Sequence, residues 1–273
     1  MKQLLFLLSV SLCTMANAQA PVLEKLWETD SIIAIPESVL PDAKRNLLFV
    51  SLIDGAPWEA DGKGGIGRLA MDGKNYDGKW ITGLHAPKGM GIFGNRLYVA
   101  DMNEVVVINI DNATIEKKIA PEGAQNLNDI TVDDKGVVYA SDSKGFRVWR
   151  IENDQPVLYL ENLPGLNGLK AVGTDLLIAS GKSFVKADAS KNIQKIADLP
   201  QGLDGIEPIG NGDYIVTAWA GYVYYVQANG KVDTILDTRN ERRNAADIGY
   251  DPVNRIVYVP TFFAKTVTAY KLK

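Results

Sequence analysis

LNDITVDDKGVVYASDS, residues 127–143, is the unit that the rest of the chain repeats. A polar pair, Asn128-Asp129, opens a short apolar strand. Asp134-Lys135-Gly136 turns the chain, and Val137-Val138-Tyr139-Ala140 returns as a second strand that ends on Ser141-Asp142. Similar units open near Glu37, Lys88, Asn167, Asp204 and Ala246, spaced roughly 40 residues apart. Short strands at that period, without a long amphipathic helical run, predict an all-β chain: a six-bladed β-propeller with four strands per blade. Turns such as Asp72-Gly73, Asn211-Gly212 and Asn229-Gly230 tolerate the positive φ that tight hairpins need. The last repeat is one strand short. Residues 21–30 read as an outer strand that completes it, so that no blade edge is left unpaired. Blade one is the longest because of an insertion at 54–64, DGAPWEADGKG, where Trp58 could line a substrate entrance. Residues 237–246 are expected to form a turn of helix on the surface.

The chain begins MKQLLFLLSVSLCTMANAQA. One basic residue (Lys2), an apolar run over 4–12 and the small-x-small site Ala16-Asn17-Ala18 read as a secretory signal peptide over 1–18. The run is shorter than the roughly 20 residues a bilayer span takes, and Leu12 stands where a lipoprotein signal carries a small residue before Cys13. The expected mature chain, 19–273, is then one exported domain, periplasmic or extracellular. Cys13 is the only cysteine, so that domain has no disulfide, thiolate ligand or thiol nucleophile. A net charge of −4, with basic residues clustered no further than in pairs such as Lys117-Lys118 and Arg242-Arg243, argues against a nucleic-acid partner. His85 is the sole histidine, which excludes a multi-histidine metal site.

In a propeller the innermost strand of each blade lines the central channel, and its opening residue sits near one mouth. The six opening residues here are Glu37, Lys88, Asn128, Asn167, Asp204 and Ala246. Two carboxylates and two amides on one axis are the oxygen donors that hard divalent cations take: calcium or magnesium, with manganese or zinc as further possibilities. The alternative is that Asn and Asp at strand starts bond local backbone amides. Lys88 could grip an anionic substrate, or pair with Glu37 or Asp204 and replace the metal. His85, three residues before Lys88, is read as a loop residue near the mouth, within reach of substrate.

At these motifs the chain resembles the SMP-30/gluconolactonase/luciferin-regenerating-enzyme family of six-bladed propellers with one divalent metal in the channel. The resemblance spans the mature chain in blade order. It implies metal ligation by Glu37, by Asn167 of Asn167-Gly168-Leu169, and by Asp204 of Asp204-Gly205-Ile206. It also implies that Asn128, opening Asn128-Asp129-Ile130, lies near substrate and water. Two departures stand out: Asn126 occupies the position where sugar-lactone members carry an arginine, and Ile130 replaces their glycine.

The expected activity is a metal-dependent hydrolysis of a lactone or similar small ester, with Asp204 both ligand and proton acceptor. The expected partner is a small-molecule substrate, with no nucleic acid and no membrane, and the protein a monomer or weak oligomer. A rival from another class is a secreted, non-catalytic NHL-type propeller that serves as a binding scaffold. A nucleophilic hydrolase using His85 as base lacks its Gly-x-Ser-x-Gly elbow.

Overall fold

Apolar side chains recur on both faces of the middle strands, as in LLFVSL, EVVVIN and YVYYV. A sheet built of such strands must be covered on both sides. In a computed structural model describing residues 21–273, that need is met by six four-stranded antiparallel sheets arranged in a ring. The chain is a six-bladed β-propeller. The expected signal peptide at 1–18 lies outside the described residues.

The innermost strands are Pro36–Asp42, Pro87–Phe93, Leu127–Val132, Leu166–Val172, Ile206–Pro208 and Gly249–Asp251. Neighbouring blades enclose a core at every junction. Phe49, Ile66 and Trp80 of blade one pack on Leu97, Val99 and Val106 of blade two, and equivalent clusters fill the other five junctions. Each such side chain contributes about 1.5–3 kcal/mol of burial, so the ring is held by its wedges of apolar contact.

Leu23–Glu28 runs antiparallel to Val267–Leu272, outermost in the sheet that also holds Ile256–Pro260 and Gly249–Asp251. On the channel side, blades one and six are tied directly. The Val39 N–H donates to the Asp247 carbonyl (3.2 Å) and the Asp247 N–H donates to the Glu37 carbonyl (3.0 Å). Hairpin geometry sets where strands begin: Asn46 and Phe146 take left-handed φ of 56° and 54°, and the strands start after them. The expected helical turn is a short 3-10 segment, Arg239–Glu241.

Two buried aspartates at the ends of second strands aim the segments that lead into the channel. Asp101 accepts N–H groups from His85 and Ala86, and Asp142 accepts them from Gln125, Asn126 and Gly145. Burial pushes the Asp142 carboxyl up, but the Asn126, Gly145 and Gln125 amides and the Arg147 guanidinium outweigh it and hold it below its ordinary value. A depressed carboxyl stabilises the fold above the unfolded-state value near 3.9 and loses that contribution as pH falls through the folded value. Asp142→Ala strands three N–H groups. It should lower unfolding stability by roughly 2–4 kcal/mol at pH 7, with the gap from wild type narrowing below about pH 4 in denaturant titrations.

Candidate active site

The pairing register slips at the opening residue in four of the six blades. The slips fall between Pro36 and Val39, Pro87 and Met90, Leu127 and Ile130, and Leu166 and Leu169. A bulge sets two consecutive residues against one partner, which breaks the strict inward-outward alternation of a strand. Both members of the pairs Glu37-Ser38 and Asn128-Asp129 therefore reach the channel, at different depths, whereas Lys88 and Asn167 are followed by glycines. The first members, Glu37, Lys88, Asn128 and Asn167, join Asp204 around the floor of a cavity of about 330 Å³ at one mouth. The second members Ser38 and Asp129 line a further channel cavity of about 260 Å³ with Thr131, Lys170, Glu207 and Asp247.

Backbone anchors hold this arrangement. Hydroxyls from the second strands accept the N–H of the second member of the pair: Ser51 for Ser38 (2.9 Å), Ser141 for Asp129 (2.8 Å) and Thr217 for Gly205 (2.8 Å). The Asp204 N–H donates to the Thr217 carbonyl (2.9 Å), and the Thr217 hydroxyl donates to the Ala246 carbonyl (2.9 Å), joining blade five to blade six. Asp129 accepts from the amides of Ile130 and Leu169, both at 2.6 Å, and so ties blade three to blade four.

The electrostatics of the mouth are out of balance. Burial, then repulsion from Asp204, drive the Glu37 carboxyl well above its usual range against the pull of Lys88. Burial and the Asp247 charge do the same to Asp204, opposed by a hydrogen bond from the Asn167 amide. One Glu37 oxygen, Oε2, is buried without a hydrogen-bond partner. Such a group costs free energy unless something positive or donating meets it.

Lys88 does not meet it. Its ammonium donates to the carbonyls of Pro57 (2.7 Å) and Ala86 (2.8 Å) and lies 3.9 Å from the centre of the Trp58 ring. Among the described residues it makes no ion pair with Glu37 or Asp204. Burial pulls the Lys88 amine down to about 8, against the charges of Glu37 and Asp101. Lys88 thus fastens the insertion loop over the mouth.

The remaining donors suit a cation. Among the described residues no three His, Cys, Asp or Glu side chains are placed to hold a metal ion between them. A cation site at this mouth would be two carboxylates, Glu37 and Asp204, completed by the Asn167 amide. Oxygen donors of this kind fit calcium or magnesium better than softer metals, and a divalent charge among them would meet the orphaned Oε2 and relieve the repulsion.

Of the residues singled out in the sequence, Glu37, Trp58, Lys88, Asn128, Asn167 and Asp204 line one cavity, and His85 and Ala246 do not. His85 Nδ1 accepts the Gly62 N–H (3.2 Å), so the ring braces the far end of the insertion loop. In blade six the polar channel residue is Asp247 rather than Ala246. Ala246 packs with Ile53, Ala86 and Phe262 in a small apolar cluster, while the Ser38 hydroxyl donates to Asp247. Burial pushes the Asp247 carboxyl up to about 7, with Ser38 opposing and Glu207 adding to the shift. Phe262 and Phe263, which also line the mouth, lack any motif in the sequence.

No protein-family model and no curated protein matches the sequence. Solved structures do match. Streptogramin B lyase superposes with a TM-score of 0.64 at 12% identity, covering 88% of this chain and 94% of that one. Luciferin-regenerating enzyme gives 0.67 at 13% identity, covering 93% and 97%. A catalytically inactive histidine-to-alanine variant of virginiamycin B lyase from Staphylococcus aureus, with quinupristin, gives 0.66 at 14% identity, covering 93% and 100%. The likeness is one of fold. The propeller shares its ring and blade order with these proteins, and what its channel mouth does rests on the side chains it carries there.

Proposed function

We propose that this propeller is an exported, metal-dependent hydrolase of lactones or similar small esters, of the SMP-30/gluconolactonase type. The observation that carries the reading is the pair of buried carboxyls, Glu37 and Asp204, with an unpartnered Glu37 oxygen at the floor of an open cavity. Glu37, Asn167 and Asp204 would hold the cation, which when bound supplies polarisation of a carbonyl oxygen and acidification of water. Asp204 takes the proton from the attacking water. Asn128 and Asn167 orient the reacting oxygens with their amides. Lys88, pinned beneath Trp58, adds a positive potential that offsets negative charge developing on the substrate oxygen. Luciferin-regenerating enzyme and the two lyases support an enzymatic reading by fold. One lyase is named as inactive when a histidine is replaced. The single histidine here braces a loop outside the cavity, which favours a carboxylate as the base.

The test is a panel of δ- and γ-lactones and aryl esters assayed with calcium or magnesium, and again in EDTA. Hydrolysis that EDTA removes and the cation restores is the expected result. Turnover unchanged by EDTA would overturn the metal-dependent mechanism, and a panel without turnover would leave the scaffold reading in its place.

A further inference from the structure

The polar floor of the mouth is only half of the site. Its walls are Pro57 and Trp58 from blade one and Trp219, Phe262 and Phe263 from blades five and six. Three of these side chains face solvent although large and apolar: Trp58 is 43% exposed, Trp219 43% and Phe263 58%. Exposed apolar residues scattered singly need no explanation, but several rimming one concave site mark a binding surface.

These rings are held in place. Trp219 meets Phe262 and Phe263 edge-on at 5.5 and 5.9 Å, and the two phenylalanines meet each other at 4.8 Å. Phe262 takes a left-handed φ of 49°, a strained conformation for a bulky residue that persists only where its surroundings enforce it. Thr261 and Thr266 enforce it. The Thr261 hydroxyl donates to the Thr266 carbonyl (2.9 Å) and accepts the Thr266 N–H (3.0 Å), closing the turn that presents both rings. On blade one, Lys88 holds Trp58 through its ammonium and the Pro57 carbonyl. Apart from the indole N–H groups of Trp58 and Trp219, the walls offer a polyhydroxylated ring no hydrogen-bonding side chain.

We infer that the walls form an apolar subsite, and that the substrate is an uncharged lactone or ester bearing an apolar arm, alkyl or aryl, rather than a sugar lactone. The arm lies against Trp58 and the Trp219–Phe263 pair while the carbonyl reaches the polar floor. This substrate class rests on the hydrolase reading, whereas the subsite rests on the walls alone.

Lactams share the ring and carbonyl of lactones but do not turn over, so binding can be separated from chemistry. Calorimetry in calcium with 6-heptyl-2-piperidone and D-glucono-δ-lactam is the test. The heptyl lactam should bind at least tenfold more tightly than the polyol. Phe263→Ala and Trp58→Ala should each weaken the heptyl lactam roughly tenfold and leave the polyol unchanged. Equal or tighter binding of the polyol, no binding of the heptyl lactam, or heptyl-lactam binding indifferent to both substitutions would overturn the subsite. Tight heptyl-lactam binding in a protein that hydrolyses no lactone would support the subsite and overturn the hydrolase reading instead.

Discussion

Asp204→Ala is expected to lower kcat/KM on any hydrolysed lactone by on the order of 10³-fold, the range lost when a positioned proton acceptor is removed. The same substitution should not harm the fold. Asp204 is buried and repelled by Asp247, and its carboxyl is driven up by both; removing it relieves an unfavourable charge. The melting temperature measured in EDTA should therefore hold or rise while activity disappears. That opposition is the signature of a residue kept for chemistry at a cost in stability. A structural role would move both quantities down together. Asp204→Asn refines the test: it keeps the shape and an oxygen donor but cannot accept the proton, so activity should stay lost.

The second large effect is on the scaffold. Gly168 follows the candidate ligand Asn167, and a Cβ placed there would overlap the carbonyl oxygen of Asp204. The obstacle is backbone, which cannot swing aside as a side-chain tip can, so blades four and five must separate where two candidate ligands meet. Gly168→Ala should cost about 3 kcal/mol or more, the upper end of overpacking, and lower the melting temperature by roughly 10 °C for a domain of this size. Gly89→Ala meets a similar block at Asp129. Gly202 is the control, because nothing lies within 4 Å of a Cβ there. Gly202→Ala should leave stability unchanged or slightly raised.

Much of this was legible in the sequence. Strand-turn-strand units at a steady period gave the ring, and the residues opening five of them gave the polar floor of the mouth. Asp247 was missed by one position because opening residues were aligned as if each strand sent one residue inward. The bulges at Glu37-Ser38 and Asn128-Asp129 send two, and in blade six Ala246 and Asp247 both precede the strand Gly249–Asp251, where a period-two reading has no mark. The aromatic wall was missed for a different reason. Phe262 reaches the mouth through a left-handed turn stabilised by two threonines, and a bulky residue in that conformation has no sequence signature. Lys88 was seen as a cation near the ligands. Its capture by the Pro57 carbonyl and the Trp58 ring depends on how the 54–64 insertion folds back, which no local pattern encodes.

Calcium titrated by calorimetry into EDTA-stripped, desalted protein tests the central claim most directly. One ion per chain should bind to wild type, and binding should be abolished by Asp204→Ala and weakened at least tenfold by Glu37→Gln, which keeps one oxygen donor but loses the charge. Wild-type protein that binds neither calcium nor magnesium, or that binds it with an affinity indifferent to both substitutions, would contradict the account.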